Sequence, residues 1–256
     1  MRLRPAFFLL RDGVFFMFNP SCKTYYSTAE SRILSKKVVN KIFVDIVLNL
    51  CYNYYKICER DTEMTTVYFI RHAQSDRFTQ DDRTRPLTSE GLEDTKKITA
   101  ALENAGIKHI ISSPYTRTIQ TVTHLSERLG LEIETDEDFR ERNAGKWHGE
   151  NFFDFIERQW ADFSYHILDG ECLGDVQKRN ISALKRALEK YKGETIAVAT
   201  HGTALSTIVN YFYPDYNFES FKRMVDYMPY VVKMEFDEEG RCLSFEEVLI
   251  VEKEYK

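Results

Sequence analysis

The chain has 256 residues, 43% of them hydrophobic and 29% charged, which suits one large domain or two small ones with a sizeable core and excludes global disorder. Its formal net charge of −5 argues against a protein whose main work is holding nucleic acid, while leaving room for a local cationic pocket. Cys22, Cys51, Cys58, Cys172 and Cys242 are scattered, odd in number and form no C-x-x-C pair; the pattern points to free thiols in a reducing, cytoplasmic setting, without a disulfide framework or a metal site.

Residues 1–63 differ in character from the rest of the chain. The apolar runs at 6–10 and 14–18 are split by Arg11-Asp12-Gly13, so neither reaches spanning length and a secretory signal is a poor match. Over 38–50, Val39, Ile42, Phe43, Ile46 and Leu50 follow helical spacing, while Lys41, Asp45 and Asn49 interrupt any membrane span. No stable membrane association is expected; the alternative is a surface-seeking amphipathic helix. Met64 stands directly before the first strand of the domain. Residues 1–63 are therefore read as an N-terminal extension, poorly ordered or not native, and 64–256 as one domain.

That domain opens with Thr66-Val67-Tyr68-Phe69-Ile70, a β-branched and aromatic run suited to a buried strand, which ends abruptly in Arg71-His72. A polar segment with Asp81-Asp82-Arg83-Thr84-Arg85 comes next, placing Arg83 and Arg85 as possible anion contacts. Thr88 caps a helix whose apolar stripe is Ile98, Ala101, Leu102 and Ala105, stopped by Gly106. A second strand at 108–112 leads into Ser113-Pro114, a cap followed by a first-position proline, and a helix carrying Arg117 in its first turn. A cation at the positive end of a helix is electrostatically disfavoured, which favours a functional reading of Arg117.

A third strand at 131–135 precedes a loop with Glu141 between Arg140 and Arg142, and Phe139 and Trp147 suggest that this loop packs down. A long helix to Gly193 is followed by the clearest strand, 195–200, which ends in His201-Gly202. Alternation at 231–236 and 243–251 predicts a hairpin around 237–240. Repeats and Pro-rich linkers are absent. Strand–helix alternation predicts a three-layer α/β/α sandwich with a mainly parallel sheet.

In a parallel sheet three turns would deliver Arg71-His72, Arg117 and His201 to one edge. Two guanidinium groups make a fork for phosphoryl oxygens. One imidazole can attack phosphorus and a second can donate to the equatorial oxygens. Glu141 is the candidate that protonates the leaving oxygen.

The ordered motifs resemble the histidine phosphatase superfamily, also called phosphoglycerate mutase-like. They are R-H-x at 71–73, P-L-T-x-x-G at 86–91, S-S-P-x-x-R-x-x-x-T at 112–121, R-E-R-x-x-G at 140–145, G-E-x-L-x-D-V-x-x-R at 170–179 and H-G at 201–202. The resemblance covers about residues 66–252. It implies that His72 becomes phosphohistidine, that Arg71, Arg117 and His201 form the phosphate pocket, that Glu141 is the acid and then the base, and that no metal or other cofactor is needed. The first motif departs from the family's R-H-G-E-T-x-x-N: Ala73 replaces Gly, Gln74 replaces Glu, and Phe78 stands where the family carries a phosphate-contacting Asn. Ser75, Gln74 or Arg83 are the residues available to supply the missing donor. His148 and Cys172 are two further departures, and His109, His124 and His166 have no motif support.

The expected activity is a phosphomonoester hydrolase acting on a small phosphorylated metabolite. The alternatives are phosphoglycerate mutase-type transfer and a non-catalytic phosphate-binding module. Segments 74–85 and 150–171 would set the substrate. Neither the particular substrate nor the oligomeric state is legible in the chain.

Overall fold

The computed structural model describes residues 6–10, 14–18, 26–27, 64–146 and 151–253. It divides into two units, Met1–Arg60 and Asp61–Lys256. In the first unit β1 (Ala6–Leu10), β2 (Val14–Phe18) and β3 (Tyr26–Ser27) form an antiparallel sheet in that order. The helical window at 38–50 lies outside the described residues, as do Cys22, Cys51 and Cys58.

The second unit is built on a six-stranded mixed sheet, β6 (Ile133–Thr135), β5 (His109–Ser112), β7 (Thr195–Thr200), β4 (Thr65–Arg71), β8 (Tyr227–Phe236) and β9 (Cys242–Glu252), in that spatial order. The first four pair in parallel, and β8 and β9 add an antiparallel edge. The expected hairpin is present, its turn closed by Gly240 donating to the Asp237 carbonyl at 3.0 Å.

Alternation along the central strands creates two cores. Val67 and Phe69 of β4 and Ile196 and Val198 of β7 pack on one face, against α4 (Leu173–Lys190) and α5 (Gly202–Phe212). Ile70, Ala197 and Ala199 pack on the other, against α1 (Ser89–Leu102) and α2 (Thr116–Leu129). Both faces of these strands are covered, which is why they read as continuous apolar runs. The result is the three-layer arrangement expected. Two shorter helices, α3 (Phe152–Ala161) and α6 (Phe218–Met224), complete the unit.

Local chemistry sets the helix boundaries. Thr88 caps α1 by accepting from the Gly91 N–H at 3.0 Å, as expected. The helix ends at Leu102, short of Ala105, and Gly106 at φ 74° sits in the turn beyond. Gly130 closes α2 in the left-handed region. Ser113 does not cap α2. The cap position is Tyr115, because Ser113 still belongs to the sheet ladder, its N–H donating to the Ala199 carbonyl at 2.9 Å. A residue before proline favours that extended conformation, and its hydroxyl is left for another task. Among the described residues no helix is long and apolar enough to cross a membrane.

Candidate active site

Three parallel strands end level with one another. Arg71 pairs with Thr200 and Ser112 with Ala199. The ladder extends one step further, through His72 N–H to the Thr200 carbonyl at 3.1 Å. The carboxyl ends of β4, β5 and β7 thus bring residues from three distant segments to one edge of the sheet.

His72 and His201 meet there, their ring centroids 5.4 Å apart and the planes 66° off parallel. His72 is 7% exposed and His201 fully buried. The His72 Nδ1 lies 2.7 Å from the Ala73 carbonyl oxygen. A carbonyl only accepts, so Nδ1 carries the proton and the Nε2 lone pair remains for attack. Burial, then the charges of Arg117 and Arg71, holds His72 well below the ordinary imidazole pKa, keeping that lone pair free of a proton. His201 is depressed in the same direction by burial, Arg117 and His72. Its Nε2 is 2.8 Å from Ser113 Oγ. Its Nδ1 is buried and has no hydrogen-bond partner among the described residues. Buried ring nitrogens are ordinarily satisfied, so an orphan beside a second imidazole marks a place where a ligand is to be met.

The two arginines are held differently. Arg71 Nη1 donates to the carbonyls of Met224, Val225 (2.9 Å) and Tyr227 (3.0 Å), at the negative end of α6. The opposite edge of its guanidinium lies over Gly202, where a Cβ would sit 3.2 Å from Nε and 3.4 Å from Nη2. Arg117 is buried and its Nη1 donates to the Asp82 carbonyl at 2.5 Å, with the Asp82 carboxylate at 3.2 Å. Tyr115 wedges between Arg117, 5.0 Å from its ring, and His201, whose ring centroid is also 5.0 Å away.

Glu141 comes from a loop without regular structure. One carboxylate oxygen accepts from the N–H groups of Arg142 (2.8 Å) and Ala204 (3.2 Å), and the other from Thr203 N–H (3.1 Å). It therefore sits on the free N–H groups of the first turn of α5, directly after His201. This anchors it on the segment that immediately follows His201.

The remaining sequence candidates lie in segment 74–85. The backbone of Ser75 bridges Leu87, and its side chain is half-buried. Arg83 is exposed and spends its fork on Glu137, at 2.8 and 2.6 Å. Gln74 Oε1 accepts from Thr88 Oγ1 at 2.8 Å. Phe78 is 94% exposed, so it fills no place in the pocket. From the sequence Ser113 reads only as a helix cap, and neither Tyr115 nor Asp82 stands out. The signal for the first two was the turn that carries Arg117; nothing local marked Asp82. Trp147 and His148 lie outside the described residues.

The family model described as histidine phosphatase superfamily (branch 1) matches residues 67–246. The chain belongs to that superfamily. A probable phosphoglycerate mutase, GpmB of Yersinia pestis (strain Pestoides F), is 30% identical over 159 residues, 57% of this chain and 74% of that protein. Among solved structures, Bacillus stearothermophilus YhfR superposes with a TM-score of 0.58 at 25% identity, covering 70% of this chain and 94% of that one. A phosphoserine phosphatase from Entamoeba histolytica, solved in complex with phosphoserine, gives a TM-score of 0.58 at 18% identity, covering 71% and 96%. That last likeness is one of fold. Superfamily membership assigns the chain to the phosphatase or mutase enzymes.

Proposed function

We propose that the protein is a phosphomonoester hydrolase that works through a phosphohistidine on His72. The observation that carries this reading is the pair of facing imidazoles, one with its proton pinned on Nδ1 by the Ala73 carbonyl and the other with a buried, unpartnered nitrogen. His72 Nε2 attacks phosphorus as the ester P–O bond breaks, and Glu141 gives its proton to the leaving oxygen. Water then attacks the phosphohistidine, loses a proton to Glu141, and His72 departs. Arg117, the outer edge of Arg71 and His201 stabilise the spreading charge on the phosphoryl oxygens. Of Ser75, Gln74 and Arg83, the hydroxyl of Ser75 is the replacement for the donor missing from the first motif, since Gln74 is bonded to Thr88 and Arg83 is engaged with Glu137. The substrate is a small phosphorylated metabolite. The scattered cysteines support a cytoplasmic setting, and Cys172 and Cys242 are free thiols.

The names of the curated relatives favour a second reading, in which His72 hands its phosphoryl group to another hydroxyl. Turnover of p-nitrophenyl phosphate and a panel of sugar and nucleotide monophosphates, with phosphate released at the rate of alcohol, supports the hydrolase. Interconversion of phosphoglycerates that depends on a bisphosphate primer supports the mutase. Phosphate binding without turnover would mean a silent binding module. Full turnover by His72→Ala would refute both enzymatic readings.

A further inference from the structure

Glu141 lies in no helix or strand of its own, yet proton delivery needs a carboxyl placed within a fraction of an ångström. Arg179, on α4, is engaged through all three guanidinium nitrogens. Its Nη1 donates to the carbonyls of Asp138 and Arg140, both at 2.7 Å, and its Nη2 to the carbonyl of Glu141 itself at 3.1 Å. Its Nε and Nη2 also grip the two oxygens of Glu171 at 3.0 and 3.2 Å. Glu171 in turn accepts from Arg140 Nη2 at 2.7 Å and from Asn143 N–H at 2.9 Å. Burial pushes the Glu171 carboxyl up, but its bonds to Arg179 and Asn143 outweigh that and hold it below the usual carboxylate range. The backbone is thus clamped before, at and after Glu141 by one half-buried ion pair.

We infer that Arg179 and Glu171 are positioning residues that hold Glu141 in place to protonate the leaving oxygen. This rests on Glu141 being the acid in the proposed reaction. Their hold on Glu141 runs through the loop, while the charge of Arg179 also reaches His201 and helps to lower its pKa. Lysine cannot reproduce the clamp, because one ammonium cannot span three carbonyls and a bidentate carboxylate.

The test compares p-nitrophenyl phosphate, whose leaving group needs little protonation, with glycerol phosphate, whose alkoxide needs it fully. Arg179→Lys and Glu171→Gln are assayed beside Glu141→Gln, each after confirming cooperative thermal melting. The expected result is a loss of kcat/KM, which reports phosphoryl transfer to His72 and not the hydrolysis step common to both esters, of about ten- to a hundredfold on glycerol phosphate beyond any loss on the aryl ester, since misplacing a catalytic group by about 1 Å costs on the order of a hundredfold. Equal losses on both esters, or no loss, in a folded variant would overturn the inference. If Arg179→Lys does not fold, Glu171→Gln decides, because it keeps the size of the side chain while removing its charge and replacing one oxygen that accepts from two N–H groups by an amide that can only donate. Discrimination by Glu141→Gln but by neither clamp variant sinks the positioning role alone. Absence of discrimination in Glu141→Gln sinks the acid assignment and the clamp's role with it.

Discussion

Asp82 engages Arg117, one of the two guanidinium groups proposed to take the substrate phosphate. Its carboxylate lies 3.2 Å from Arg117 and 3.2 Å from Arg85, and its backbone carbonyl takes a hydrogen bond from Arg117. An anion entering the site therefore meets an arginine already engaged by the loop, and a negative charge beside it. Asp82→Asn keeps the backbone bond and removes the charge. The expected result is a fall in KM of roughly three- to tenfold, an interaction of about 1 kcal/mol for partly exposed charges at this spacing, with kcat little changed. An unaltered KM would show that the loop swings away before binding.

The depressed imidazoles carry a second expectation at this scale. His72 lies well below its ordinary value of 6.5, chiefly through burial. Phosphoenzyme formation, measured by rapid quench, should therefore keep its rate as pH falls through that value and decline only below it. A decline centred on the ordinary imidazole pKa would contradict the burial account. Not all of this site was legible in the sequence. His72, Arg71, Arg117 and His201 stood out because each terminates a strand or opens a helix. Ser113 reads as a helix cap because its true partner, His201, is 88 residues away. Asp82 was hidden for the same reason: a charge run looks the same whether it faces water or an arginine.

The elements meet at glycines whose reasons are steric. A Cβ on Gly91 would lie 2.2 Å from the carbonyl oxygen of Gln74, two residues after His72. The first turn of α1 therefore packs directly on the backbone of the loop that follows His72, and Thr88 N–H bonds to the same carbonyl at 3.0 Å. Gly91→Ala must displace backbone, so it should cost about 1–3 kcal/mol in thermal stability and lower kcat by shifting His72; an unchanged melting midpoint would show that the contact yields freely. At Gly145, φ 72° and the approach of Leu168 and Gly170 stitch the Glu141 loop to the segment before α4. The sequence marked Gly91 and Gly145 only as members of motifs. Close backbone approach is a tertiary fact, so their purpose emerges only when the partner strand or loop is in place.

At the scale of the molecule, the architecture was readable because strand and helix periods alternate cleanly from residue 65 to 212. Two parallel-sheet cores explain the uninterrupted apolar strands, and the antiparallel edge explains the alternation in β8. Strand order was not readable, since pairing of β4 with both β7 and β8 depends on segments more than a hundred residues downstream. Phe69 is wholly buried in the central strand, so Phe69→Ala should cost about 3–5 kcal/mol in denaturant unfolding. The buried histidines also link global stability to pH. Their folded pKa values lie below the unfolded value, so the unfolded chain binds more protons in the window between the two. Stability from this source is full above about pH 6.5 and is lost as pH falls toward the folded values. Added inorganic phosphate should offset that loss in the parent protein and do so less in His201→Ala.

The central claim is a covalent one and can be read directly. The protein is mixed with a turned-over phosphomonoester, quenched in base within its first turnovers, digested and analysed by mass spectrometry under conditions that preserve phosphohistidine. One added phosphoryl group on the His72 imidazole, absent from His72→Ala, is the result expected. Steady turnover with that peptide unmodified, or the phosphoryl group carried by another residue, would show that the facing rings do something else.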